Sequence, residues 1–272
     1  MDSDRINVNG VSLHCAILGD GAPLIFVHGS LSDFRTWDNQ AEFFSKRFRT
    51  VVYSRRRHYP NECMGTELDY SIRNHAQDLT ELIRRLGLGA ANVAASSYGA
   101  SVALDLCLTN PELIKSLVLA EPLIPALASN GGGERRLFLN AIEKCRAAFQ
   151  AEDVTGAISA FVDAINGPGA YDRLPASELR NRMDNAPALR SQVMSEDGNF
   201  TVDLDRLRRT PTPMLLLSGE NTRPFFRQVF DKLVEILSHA ESAVIPEAAH
   251  AIHRGNPDRY NETVSMFLSR MI

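Results

Sequence analysis

Short, unbroken apolar runs constrain this chain most. "PLIFVHG" (23–29), "TVVYS" (50–54), "ANVAAS" (91–96), "SLVLAE" (116–121), "PMLLLSGE" (213–220) and "ESAVIPE" (241–247) are each a strand's length, and none alternates apolar with polar. A strand of this kind is buried on both faces, which only a sheet covered by helices on both sides allows. Helical patterns lie between the runs. In 71–86, Ile72, Ala76, Leu79, Ile83 and Leu86 share one face, and Gly87 stops the helix. Residues 98–109 and 256–271 are read as two more helices. Strands alternating with helices predict an α/β fold with a mostly parallel sheet. At the amino end, "INVNGVSLHCAIL" predicts two strands joined by a tight Asn9-Gly10 turn.

The alternation breaks between residues 126 and 210. "NGGGE" (130–134) reads as a flexible lead-in to "RRLFLNAIEKCRAAF" and "AISAFVDAI", where Ile158, Phe161, Val162 and Ile165 keep helical spacing. "NGPGAYDRLP" (166–175) punctuates, and "RRTPTP" (208–213) returns the chain to strands. The expected organisation is a core of 1–125 and 211–272 with a helical insertion at 126–210 over the sheet edge where such folds bind ligands.

A chain of 272 residues is long enough for one core plus such an insertion. Its net charge of −4, without a block of five like charges, points to neither a nucleic acid nor a membrane partner. Cys15, Cys63, Cys107 and Cys145 are scattered, so reduced thiols are expected and no metal site. "MDSDRINVNG" lacks a signal-peptide core and no apolar run matches a bilayer's thickness, so a cytoplasmic location is expected.

"AASSYGA" (94–100) presents two serines at a strand-to-helix junction. A nucleophile on a sharp turn needs small residues two before and two after it. Ser97 has Ala95 and Gly99 there, whereas Ser96 would have Tyr98, so Ser97 is the candidate. The competing reading is a helix N-cap serine. The frame resembles the G-x-S-x-G elbow of the α/β-hydrolase family, with Ala95 in place of the first glycine. "LIFVHGS" (24–30) resembles that family's His-Gly oxyanion segment, and "EAAHAIHRGNPDRYNETVSMFL" (247–268) its terminal histidine loop and last helix. The resemblance implies a mostly parallel eight-stranded sheet flanked by helices, with a helical cap (lid).

It also implies roles. The base lies between the last strand and the last helix, where His250 and His253 both qualify; His250 is preferred because "IPEAA" before it resembles the family's apolar-Pro-x-Ala-Gly-His pattern, with Ala249 for the glycine, and His253 is expected to be a surface or cap-contacting residue. The acid commonly sits three residues past the glycine of "LLLSGE", but Thr222 is there. A second location in the family is the end of the strand after the nucleophile helix, which here is Glu121. The runner-up is Glu220, and the competing reading of Glu121 is a solvated loop residue or a cap for the insertion's first turn. The oxyanion hole falls to the backbone N–H groups of Ser30 and Tyr98. Arg55, Arg56 and Arg57 of "YSRRRHYPN" belong to a structural or solvated loop, or meet a substrate carboxylate. The expected pocket comprises His28, Leu31, Trp37, Phe138, Phe161 and His253, although His28 suits bracing a loop and Trp37, with Phe34, anchoring a helix. Phe149 and Met183 are weaker candidates.

The implied activity is a serine hydrolase cleaving an ester or lactone of a small, largely apolar substrate through an acyl-enzyme on Ser97. It needs no cofactor and no metal. A C–C bond hydrolase, a perhydrolase or haloperoxidase, and a non-catalytic receptor on the same fold are the alternatives. The partner is a small molecule, and a homodimer stays open.

Overall fold

The computed structural model describes residues 3–63, 69–128, 133–195 and 200–271. Eight strands form one sheet: β1 (Ser3–Val8), β2 (Val11–Leu18), β3 (Ala22–Val27), β4 (Phe48–Tyr53), β5 (Ala91–Ser96), β6 (Ile114–Ala120), β7 (Met214–Gly219) and β8 (Glu241–Ile245). Their order is β1-β2-β4-β3-β5-β6-β7-β8. The β1–β2 and β2–β4 pairs are antiparallel and all others parallel. Asn9 (φ 43°) and Gly10 (φ 78°) make the β1–β2 turn, both in the left-handed region that a two-residue hairpin requires.

Among the described residues eleven α-helices accompany the strands. The ones that cover the sheet are α1 (Asp38–Phe44), α2 (Ile72–Arg85), α3 (Tyr98–Thr109), α9 (Pro224–Ile236), α10 (Ile252–Gly255) and α11 (Pro257–Leu268). Successive residues of the central strands feed opposite cores, which explains the unbroken runs. Ile25, Val93 and Leu117 pack with α2, α3 and α9, while Phe26, Ala94 and Val118 pack with α1 and α11. β8 departs from expectation. It is the edge strand, and its Val244 is 47% exposed, because its outer side has no neighbour.

Between β6 and β7 lie α4 (Glu134–Gln150), α5 (Val154–Asn166), α6 (Ala176–Asp184), α7 (Ala186–Met194) and α8 (Leu204–Arg209). Most of the "NGGGE" lead-in, residues 130–132, lies outside the described residues. Helices α1 and α9 have no counterpart in the sequence reading. The apolar stripe of α9, including Phe226, Val229 and Leu233, is helically spaced and identifies it in retrospect. Cys15, Cys107 and Cys145 are buried free thiols, and Cys63 is an exposed one. Among the described residues no helix is long and apolar enough to cross a membrane.

Candidate active site

The strands β3, β5, β6, β7 and β8 run parallel, so the segments leaving them emerge at one edge of the sheet. The β5 exit is a strained turn. Ser97 has φ 55° and ψ −124°, a conformation that costs a non-glycine residue roughly 1–3 kcal/mol. Its neighbours hold it there: Ser97 N–H donates to Ala120 O at 2.8 Å, and Ser97 O accepts from Ala100 N–H at 2.9 Å. The size rule has a direct cause at Gly99. A Cβ there would lie 2.3 Å from His28 O and 2.5 Å from Val27 O. Only glycine lets the first turn of α3 pass beneath the end of β3.

Glu121 follows β6 immediately, on a backbone (φ 45°) that is itself in the left-handed region. It is fully buried. Its Oε1 accepts from Ser218 Oγ and Gly219 N–H, each at 2.9 Å. Its Oε2 accepts from Thr222 Oγ1 at 2.8 Å and from His250 Nδ1 at 2.6 Å. Four donors around one side chain are what an ionised carboxylate needs once removed from water. Against such an acceptor His250 must carry its proton on Nδ1, which leaves Nε2 with its lone pair. The ring is clamped by Phe226, stacked at 3.8 Å between centroids. Thr222, the residue three past the β7 glycine, is thus a donor to Glu121. That shared contact was missed in the sequence.

Glu220 lies elsewhere. It is exposed, and its Oε2 accepts from Glu247 N–H at 2.9 Å, bracing the turn that leads to His250. That turn is also sewn to the β7 exit by Asn221 N–H to Ala248 O at 2.8 Å. The structure brings together Glu121 and His250, not Glu220 and His250.

The β3 exit supplies the second loop. A Cβ on Gly29 would sit 3.0 Å from Ser97 Cβ and 3.7 Å from Ser97 Oγ, so the Gly29–Ser30 peptide lies against the serine. Gly29 O accepts from His28 Nδ1 and from Arg55 Nη2, each at 2.9 Å. A trans peptide points its C=O and N–H in opposite directions, so this grip turns Ser30 N–H away from Arg55. Ser30 Oγ is buried without a partner among the described residues. Tyr98 N–H opens α3, where the helix dipole favours negative charge.

Arg55 corrects the solvated-loop and substrate-carboxylate readings. It is 1% exposed. It donates to His28 O at 3.0 Å, reaches Tyr70 and His75, and lies 4.9 Å from the Tyr98 ring centroid. Arg56 pairs with Asp78 at 2.6 Å, and Arg57 donates to Ser191 at 2.9 Å, so the segment is structural. Burial, reinforced by the Arg55 charge, holds His28, His58 and His75 well below the usual histidine range. His28 is therefore neutral, and its Nε2 accepts from Arg55 N–H at 2.9 Å.

A cavity of about 630 Å³, its mouth included, opens over Ser97 and His250. Leu31 and Phe161 line it as expected. His28, Trp37 and Phe138 do not. His28 is sealed beneath the loop it braces. Trp37 is fully buried between Phe26 and His253, with ring centroids 5.0 and 4.0 Å away, and so anchors its helix. Phe138 stacks on Phe225 of α9 at 4.1 Å and joins a separate cavity of about 530 Å³ beside Tyr98. Phe149 is buried in the core and Met183 is 41% exposed. His253 does not sit at the surface but lines the cavity, as its place in the expected pocket implied. It is 5% exposed, walls the cavity, and meets Thr36 Oγ1 at 2.9 Å. Burial, with Arg254 adjacent, lowers its pKa to about 3. Asn166, Arg182 and Arg254 also wall the cavity; no local pattern marks them, since only the fold assembles them.

Known proteins resemble this chain over most of its length. The chain is 23% identical to 2-(acetamidomethylene)succinate hydrolase of Mesorhizobium japonicum, covering 98% of this chain and 95% of that protein. It is 24% identical to carboxylesterase YbfK of Bacillus subtilis, covering 92% and 81%. The solved enol-lactonase of Burkholderia xenovorans superposes with a TM-score of 0.79 at 20% identity, over 98% of this chain and 100% of that one. The profile described as "Alpha/beta hydrolase family" matches residues 24–263, from the strand that carries the Gly29 loop to the helix behind His250, and on that match the chain belongs to the alpha/beta hydrolase family.

Proposed function

We propose that the protein is a serine hydrolase that cleaves carboxylic esters or lactones through an acyl-enzyme. The observation that carries this is the buried Glu121–His250 pair, 2.6 Å apart, whose histidine lines the same cavity as a serine on a strained elbow. A serine hydroxyl needs an adjacent base to become a nucleophile. His250 Nε2 takes the Ser97 proton as Oγ attacks the carbonyl carbon. Glu121 keeps the ring in the Nδ1–H tautomer and stabilises the imidazolium that forms. The Ser30 and Tyr98 N–H groups receive the oxyanion. The imidazolium then protonates the leaving oxygen, and His250 deprotonates a water that releases the acyl group. In a lactone the leaving alcohol stays part of the acyl group, so the water releases one hydroxy acid and restores the Ser97 hydroxyl.

Phe161, Val162 and Ile165 of α5 supply an apolar wall, which suits the non-reacting part of the substrate. Residues 126–210 act as a cap over the chemistry. Among the relatives are a protein named carboxylesterase and a solved structure titled enol-lactonase, which agrees with this reaction class. The test is turnover of p-nitrophenyl butyrate. Turnover that falls to background in Ser97→Ala is expected. No turnover, together with tight binding of a small molecule, would contradict the proposal and favour a receptor.

A further inference from the structure

The cavity wall carries positive charge that the proposed chemistry does not use. Arg182, from α6, and Arg254, from α10, both face the space above Ser97 and His250. One carboxylate, Glu178, serves both guanidinium groups. It pairs with Arg254 through one oxygen and with Arg182 through the other, at 3.4 Å in the second case. Two cations thus share one anion. The other two acids nearby share a single cation, Arg35, so the surrounding charges balance in number and the shortage of carboxylate is local to Arg182 and Arg254. Asp33 is held by Arg35 at 2.6 Å and by Asn185 at 2.6 Å, and Asp184 pairs with Arg35 at 2.9 Å. His253 is neutral, for the reasons given above.

Arg182 sits where such a surplus has most effect. Its side chain is 17% exposed, and its Nη1 donates to Leu31 O at 2.8 Å. That bond ties it to the residue after Ser30, next to the reacting carbonyl. Its five N–H donors have two acceptors among the described residues, Leu31 O and Glu178. A largely buried guanidinium with spare donors and a second cation beside it is costly unless an anion joins it. Burial, and after it the Arg254 charge, lower its pKa from the ordinary arginine value against the opposing pull of Glu178 and Asp33.

Planar donors in a fork match a planar carboxylate better than any other common organic anion. We infer that the substrate carries a carboxylate of its own, set against Arg182 and Arg254 while Ser97 attacks the ester carbonyl. The apolar wall of α5 would hold the carbon chain between the two groups. The substrate class is a half-ester of a dicarboxylic acid, or a lactone bearing a free acid. This refines the proposed hydrolase and rests on it.

The experiment compares monomethyl glutarate with its neutral isostere, in which an isopropyl group replaces the carboxylate. Proton release is followed for the wild type, Arg182→Met and Arg254→Gln. The wild type should favour the half-ester. Losing a charge-assisted contact should lower kcat/KM on the half-ester about 10–100-fold more than on the isostere in Arg182→Met, mainly through KM, any loss common to both esters reading the Leu31 contact. Arg254→Gln, farther from Leu31, should move in the same direction by less. Equal or better turnover of the isostere by the wild type, or equal losses on both esters in both variants, would overturn the inference and leave the hydrolase standing. Turnover of neither ester would count against the hydrolase itself. Calorimetry of glutarate on Ser97→Ala, with and without Arg182→Met, then decides the carboxylate site alone: binding lost with Arg182 supports it, and no binding or unchanged binding overturns it.

Discussion

The carboxyl edge of the sheet and the helical insertion differ in how their side chains are placed. At the edge, each residue's position follows from a strand end. Ser97 is where β5 stops, Glu121 where β6 stops, and Gly29 two residues past β3. Backbone contacts then leave little choice, as the close approach of Gly99 to His28 O shows. In the insertion, helical spacing states which residues face inward but not what they face. Phe138 and Phe161 both have core-facing spacing, yet Phe138 stacks on Phe225 and Phe161 walls the cavity. Strand ends specify sites; helix faces specify packing.

The largest effect that could break this contrast lies at the two glutamates. Glu121→Gln keeps the shape but removes the charge that sets the His250 tautomer, so kcat for p-nitrophenyl butyrate should fall by about 10²–10⁴-fold. Glu220→Gln only loosens a brace at an exposed turn, and should stay within about threefold. The reverse order would show that strand-end position misidentifies the acid. The next effect contrasts the phenylalanines. Phe138→Ala should cost about 3–5 kcal/mol in urea unfolding, because a buried ring is removed from a stack. Its preference among p-nitrophenyl acyl chain lengths should not change. Phe161→Ala should shift that preference toward longer or bulkier acyl groups.

The smallest effect per residue concerns pH. His28, His58, His75 and His253 are buried and neutral, with native pKa values below 6.5, about 3 in the case of His253. Below pH 6.5 the unfolded chain binds protons that the native state refuses. The stability these residues contribute is therefore complete above pH 6.5 and is lost as pH falls toward their native values. Each adds a slope of up to about 1.4 kcal/mol per pH unit. Urea unfolding at pH 7.5 and 5.5 should show this loss, and His253→Asn should reduce its slope.

Much of the edge was legible from sequence for the same physical reason. Small residues flanking Ser97, and a carboxylate directly after "LVLA", have few packing explanations. The role of Arg55 was not legible, because a buried cation bonded to two backbone carbonyls looks in sequence like any loop arginine. Nor were Ser218 and Thr222, which matter through the Glu121 oxygens they share. The cavity arginines are further still from local pattern. Arg182 and Arg254 are brought to one wall by the packing of α6 against α10.

The nucleophilic role of Ser97 is open to one direct measurement. The protein is treated with a fluorophosphonate ester, digested, and the modified peptide located by mass spectrometry. A single phosphonyl group on Ser97, its attachment sharply slowed in Glu121→Gln and absent in Ser97→Ala, is the expected result. Labelling of Ser96 or another residue, or labelling at an unchanged rate in Glu121→Gln, would contradict a serine nucleophile driven by the Glu121–His250 pair.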